Sequence, residues 1–350
     1  NLPELTIGPN STEQSDDNFD TALYEGTGSS QNITSLNFQP DWVWVKRRDG
    51  IQEGSMTDSV RGVTKQLRPA VANQESTFSD LITSFNSDGF SLGADASGNN
   101  SYNYYTDSHV AWCWKGGGTA VSNSDGSITS SVSANPDAGF SIVSYTGDGT
   151  ATVGHGLGKV PKSYWVKCRS NGSTNWRVYH SGVASDPETD YLTLDTNAAA
   201  QDQTFWNDTA PTSDVFSVFN FDDTGTASRT YIAYVFAEVE GHCKIGSYFG
   251  NGGSQFVHTG FRPAWVLEKR TNTSAWNLYD NKRSTALAGF NIAPNGTPAS
   301  QPHVADADAN YAGLHFLSNG FRPLGTLNDA GTTIVFIAFA EAPFKYSNAR

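Results

Sequence analysis

The stretch TATVGHGLGKVPKSYWVKCR, residues 150–169, holds the residues that look most like chemistry. Gly154, Gly156, Gly158 and Lys159 have the composition of a loop that wraps phosphate. Such a loop needs a Gly five positions before the Gly of its Gly-Lys pair, Ser or Thr after the Lys, and a following helix whose first N–H groups complete the cradle. Here Val153 stands at the first position and Val160 follows the Lys. Pro161 comes next, and then SYWVKCR, an aromatic and β-branched run that reads as a strand. The spacing therefore describes a turn between strands.

Other catalytic patterns are also missing from the sequence. There is no G-x-S-x-G or H-E-x-x-H, and His109, His155, His180, His242, His258, His303 and His315 show no metal-ligand spacing. With 35 Asp and Glu residues, a pair suited to glycoside cleavage can always be picked out, so they read as solvated surface acids. FDDTGTAS, residues 221–228, is the nearest thing to a calcium loop but lacks its spaced ligands. Cys113, Cys168 and Cys243 are too few and too scattered for a disulfide framework or a zinc site, and read as small buried hydrophobes. The sequence predicts no enzyme, no cofactor and no metal. One stretch has the make-up of a binding surface: SGNNSYNYYTDSH, residues 97–109, where Tyr102, Tyr104 and Tyr105 sit among Asn and Ser. Tyr offers contact area at low entropy cost and still forms hydrogen bonds. These three are the candidate ligand-binding residues; the competing expectation is that they pack on a neighbouring subunit.

The elements that would position them come from an internal repeat. LYEGTGSSQNITSLNFQPDWVWVKRR (23–48), SYTGDGTATVGHGLGKVPKSYWVKCR (144–169) and SYFGNGGSQFVHTGFRPAWVLEKR (247–270) share a Tyr, Gly two and four residues later, a Pro, and a Lys six residues beyond it. Tyr24 and Pro40, Tyr145 and Pro161, and Tyr248 and Pro263 lie 16, 16 and 15 residues apart. Lys159 corresponds to Phe38 and Phe261, which removes the last support for a phosphate loop. FNSDGF (85–90) matches FLSNGF (316–321), NWRVYHS (175–181) matches AWNLYDN (275–281), and VAWCWK, IAYVFAE and IAFAE close the three units. Repetition at strand positions marks Trp42, Trp44, Trp112, Trp114, Trp165 and Trp265 as core, and Trp176, Tyr179, Trp276 and Tyr279 as core or inter-unit packing.

Each unit reads as six or seven short strands. The fold expected is all-β, three tandem antiparallel β-sandwich repeats, jelly-roll-like. An N-terminal extension covers 1–16, the repeats 17–120, 137–240 and 241–350, and 121–136 is a Gly/Ser-rich linker that leaves the first repeat the most independent, unless part of it forms a strand with the neighbouring repeat. Residues 65–80 are the one candidate for a short helix or irregular loop.

Composition agrees: 350 residues, 34 Gly, 12% aromatic and only 16% charged. A net charge of −13 argues against nucleic acid and anionic lipid as partners. No apolar run is long enough to span a membrane. The chain starts at Asn1, which leads us to expect trimming, processing or an upstream segment.

NFDTALYEGTGSSQNI, FQPDWVWVKRR, VAWCWKGGG, ANPDAGFSIVSYTGDGTATVGHGLGKVPKSYWVKCR, YIAYVFAEVEGHCKIGSY, TGFRPAWVLEKR and FAEAPFKYSNAR resemble an uncharacterised repeat region of large structural or tail-associated proteins of marine bacteriophages, those of cyanobacteria and of abundant ocean bacteria. The resemblance runs from about residue 18 to the end and brings no catalytic residues. It implies a protein at the virion surface, in a tail fibre or other host-contacting appendage with a receptor- or glycan-binding role. A capsid or tail decoration protein and a surface glycan hydrolase are the alternatives. Its partners would be other virion proteins, copies of itself (a trimer by preference) and a host surface glycan.

Overall fold

The computed structural model describes residues 14–96, 102–283, 298–300, 309–310 and 313–341. Among them the chain is all-β, with antiparallel ladders, three short 3-10 turns and no α-helix.

Three large sheets carry the same four-strand order. In the first, an opening strand Phe19–Glu25 pairs with a closing strand Ser108–Trp114, which pairs with a central strand Trp42–Arg47, and that with a returning strand Ser55–Asp58. The corresponding strands of the second sheet are Phe140–Thr146, Thr230–Phe236, Ser163–Cys168 and Arg177–His180. Those of the third are Cys243–Phe249, Thr333–Ala340, Pro263–Arg270 and Trp276–Asp280. A smaller sheet accompanies each: Gln31–Ile33, Gly89–Leu92 and Ile82–Asn86; Ala151–Gly154 with Val215–Val218; and Val257–His258, Gly320–Pro323 and Leu314–Leu317.

Alternation along the central strands explains the β-sandwich layering. Val43 and Val45 share one cluster with Ile33, Ile82, Phe90 and Leu92 of the first small sheet. Trp42 and Trp44 point the other way. The same division separates Tyr164 and Val166 from Trp165, and Val266 from Trp265 and Leu267. Both faces of each central strand are buried, so DWVWVK, SYWVK and AWVLEK read as largely apolar runs instead of alternating ones.

The residues that point away from the small sheets meet in one shared cluster, which includes Phe19, Trp114, Phe140, Trp165, Phe236, Trp265 and Phe339. Trp42 stacks on Tyr234 at 4.1 Å, Trp114 meets Trp265 edge-on at 5.6 Å, and Phe236 meets Phe339 edge-on at 6.2 Å. Each large sheet therefore touches both others. Aromatic pairs of this kind add about 0.5–1.5 kcal/mol beyond their buried area.

The structure decides two segments the sequence left open. The stretch 121–136 takes the strand alternative: Val121–Asn123 and Ser130–Asn135 extend the second sheet beyond its opening strand. Its small polar residues hold the edge: Ser130 Oγ donates to Gly154 O and Ser133 Oγ to Gly118 O, both at 2.8 Å. Residues 65–80 take the irregular form and not the helical one, with two short strands, Lys65–Gln66 and Ser76–Thr77, set in a loop. The carbonyl of Arg68 accepts the Trp176 indole N–H at 2.9 Å, and Glu75 N donates to Arg169 O at 3.0 Å. This segment ties the first sheet to the second, so residues 17–120 are not independent of the rest.

Candidate functional site

The shared landmarks have structural jobs. Tyr24, Tyr145 and Tyr248 donate their hydroxyls to the carbonyls of Tyr102, Thr224 and Leu327 at 2.7, 2.7 and 2.9 Å, holding the loop before each closing strand. The first Gly of each landmark lies under that loop. A Cβ at Gly26, Gly147 or Gly250 would run into the carbonyl oxygen of Tyr104, Thr226 or Asp329. The second Gly has φ of +64° at Gly28, +86° at Gly149 and +70° at Gly252, which only Gly adopts without strain.

The three candidate tyrosines do not form one surface. Tyr104 and Tyr105 are 47% and 66% exposed. Tyr102 is fully buried in the apolar cluster under the small sheet, with its hydroxyl 2.7 Å from Thr57 Oγ1 and its backbone N–H on Asp95 Oδ2 at 2.9 Å. It fails as a ligand-binding residue because the Tyr24 hydrogen bond to its carbonyl pins the loop with this ring inward.

The repeated lysines are buried too. Lys269 Nζ donates to Arg270 O, Asn272 O and Ser274 Oγ at 2.8, 2.9 and 3.2 Å. Lys167 Nζ bonds Thr174 O, and also Ala72 O of the first segment at 3.0 Å. Lys46 Nζ reaches Gln52 O at 3.3 Å. Burial lowers Lys167 to about 8 and Lys269 to about 7. Each ammonium ties down the hairpin between a central and a returning strand.

Beside Lys269 lies a buried carboxyl without counterpart, since Val45 and Val166 occupy its place in the other central strands. The Tyr248 hydroxyl lies 2.9 Å from Leu327 O and 3.1 Å from Glu268 Oε2. It has one proton, and its equivalents Tyr24 and Tyr145 give theirs to the loop carbonyl. With the Tyr248 proton likewise on Leu327 O, the hydroxyl oxygen is left as an acceptor for a protonated Glu268. Burial raises Glu268 to about 8, in accord with a protonated side chain.

Equivalent positions on the returning strands close a cycle. Asp58 accepts from Tyr234 Oη at 2.8 Å, joining the first sheet to the second. His180 Nε2 bonds Phe336 O at 3.2 Å, joining the second to the third. Its Nδ1 accepts from Gly182 N at 3.1 Å, which leaves the ring proton on Nε2. Asp280 accepts from Trp112 Nε1 at 3.0 Å, joining the third back to the first. The two aspartates are each clamped by an Arg three residues on, Arg61 and Arg283, both with Nε at 2.5 Å. The indoles of Trp176 and Trp276 repeat the first two links, donating to Arg68 O and Thr193 O at 2.9 and 2.8 Å.

Two open grooves lie beside these junctions. One, of about 400 Å³, is walled by Gln39, Asp41, Lys115, Asn135 and Asp137. Asp41 is buried there, and its Oδ2 accepts from Gly116 N and Gly118 N at 2.9 and 3.3 Å. The other, of about 440 Å³, lies between the second and third sheets, and Lys162, Lys244, Ser247, Phe256 and His258 line it. The acids of the calcium-like turn are committed elsewhere. Asp222 pairs with Arg229 at 3.0 Å, and Asp223 with Arg177 at 3.3 Å and with Asn175 N at 2.6 Å. Among the described residues no three His, Cys, Asp or Glu side chains converge as metal ligands, and no helix is long and apolar enough to cross a membrane. The three cysteines are buried and free, as expected.

A family model described as a domain of unknown function, DUF7483, matches residues 14–343. The chain belongs to this family. No curated protein matches it. That a single DUF7483 unit runs through all three large sheets agrees with the shared core. In this DUF7483 chain the cyclic contacts escaped sequence reasoning, because Asp58, His180 and Asp280 occupy one position with two residue types. The Asp-x-x-Arg spacing of Asp58 with Arg61 and Asp280 with Arg283 was the available signal. The grooves had none, since their walls come from residues far apart in the chain.

Proposed function

We propose that this chain is a non-enzymatic bacteriophage virion protein, made of three tandem jelly-roll-like β-sandwich repeats near 17–120, 137–240 and 241–350. Its place would be the virion surface, in a tail fibre or another host-contacting appendage that binds a receptor or glycan. The virion assignment rests on the resemblance carried by the repeated stretches. The observation that favours a scaffold role is the use made of the repeated polar residues. Tyr24, Tyr145 and Tyr248 fix loops, Lys46, Lys167 and Lys269 fix hairpins, and Asp58, His180 and Asp280 join one sheet to the next. Such ties build a rigid platform on which exposed loops and grooves meet a partner. In an appendage the chain would work beside other virion proteins and as a homo-oligomer, with a trimer preferred.

Labelling of intact virions with an antibody to this chain, read by electron microscopy, tests the assignment. Label at the distal tail is the expected result. Label spread over the capsid lattice would make it a decoration protein, and the absence of label from virions would overturn the proposal. Release of reducing sugar from envelope polysaccharide by the purified chain would favour the hydrolase alternative.

A further inference from the structure

The groove between the second and third sheets exists because one strand edge is left bare. In the second sheet the opening strand Phe140–Thr146 has its outer edge paired along Ser130–Asn135. The third opening strand, Cys243–Phe249, follows the preceding closing strand after a short connection with room only for a single bridge, Val239 to Cys243. Ala340 N donates to His242 O and Gly250 N to Thr332 O, so even-numbered residues face the closing strand and odd-numbered ones face outward. Cys243 N is taken by Val239 O and Ile245 N by Glu238 Oε1, at 2.9 and 3.2 Å. Ser247 is left with its backbone N–H and C=O turned to the groove.

The walls add charge and an aromatic face. Lys244 pairs with Glu238 at 2.8 Å, whereas Lys162 makes no ion pair among the described residues. In a chain of net charge −13 this is a local positive site. Phe256 is 50% exposed and rests on Gly320, where a Cβ would lie 3.0 Å from its ring.

We infer that this groove is a binding site for an acidic saccharide, with the sugar carboxylate on Lys162, an apolar C–H face on Phe256, and hydroxyls on the backbone of Ser247 and on Ser181. The inference deepens the glycan-binding part of the proposed function and rests on it. The volume, about 440 Å³, suits one or two sugar rings. An acidic peptide adding a strand to the same edge fits less well. Strand addition needs a run of free backbone groups, and Val239, Glu238 and the close approach of Gly182 to Ser247 leave only a short one.

The test is calorimetric titration of the full chain with trigalacturonic acid, with maltotriose and an oligoglutamate peptide as controls. Trigalacturonate should bind more tightly than maltotriose and weaken with salt. Lys162→Ala should weaken it at least about tenfold, the share one charge-assisted hydrogen bond supplies, at an unchanged melting temperature. Lys162→Arg should restore most of the binding, and Tyr104→Ser/Tyr105→Ser should leave it intact. Phe256→Ala should weaken both sugars; if it unfolds the chain, the variants at half-buried Lys162 still decide. Unchanged affinity in Lys162→Ala, equal binding of maltotriose, or binding of the peptide in place of the sugar would overturn the inference. Loss of sugar binding only in the Tyr104/Tyr105 variant would overturn this site and leave the broader reading standing, whereas a chain that binds no glycan at all removes both.

Discussion

Glu268 and the buried histidines give the molecule opposite responses to pH. The fold raises Glu268 from about 4.5 to about 8, so it favours the protonated form. That contribution is complete below pH 4.5 and is lost as pH rises through 8. Glu268→Gln should therefore gain stability relative to the parent as pH rises from 4.5 to 8 and level off above, as read from thermal melts. A constant difference across that range would mean that Glu268 is ionised in the fold. Burial holds His109 and His180 down to about 4 and His242 to about 3, so all three are neutral in the fold. Their contribution is present above the ordinary histidine value of 6.5 and is lost as pH falls toward 4. Melting temperature should drop across that window. NMR titration should leave these three imidazoles unprotonated at pH 5.5, and protonation of any of them near 6.5 would contradict the placement.

At the scale of elements, the Asp58–Arg61 clamp holds the carboxylate that joins the first sheet to the second through Tyr234. Arg61→Ala leaves a buried carboxylate, a change that costs about 3–5 kcal/mol where measured in proteins. Denaturant unfolding should show a loss of that order, and Asp58→Asn/Arg61→Met together should cost less than Arg61→Ala alone. A loss below about 1 kcal/mol for the single variant would place the pair outside the core. The central strands were legible in the sequence because covering both faces demands unbroken apolar runs, which WVWV and YWV display. The Tyr-x-Gly-x-Gly landmark was legible as a repeat but not as a loop clamp, because its partner carbonyls lie some 80 residues further on, at Tyr102, Thr224 and Leu327. Composition left 121–136 open between linker and strand, and its small polar residues serve a strand edge. It misled at SYNYY, which hides one inward ring beside two outward ones. The groove at Lys162 and Ser247 could not be read at all, since it arises from a strand the third sheet lacks.

The whole molecule is expected to unfold as one unit. Its central cluster draws aromatic rings from all three large sheets, so no sheet can leave without exposing Trp and Phe to water. Calorimetry should show a single transition. A fragment of residues 14–120 should fail to fold alone, because Trp42, Trp44, Trp112 and Trp114 would lose their neighbours. Two separate transitions, or a folded fragment with its own melting point, would show that the sheets are separable. The central functional claim is that this closed framework binds surface glycan without altering it. The most direct measurement exposes the full chain to an array of bacterial envelope glycans and assays the same glycans for new reducing ends. The account predicts retention on the acidic members of the array with no release of sugar. Retention on none of them, or cleavage of those bound, would contradict it.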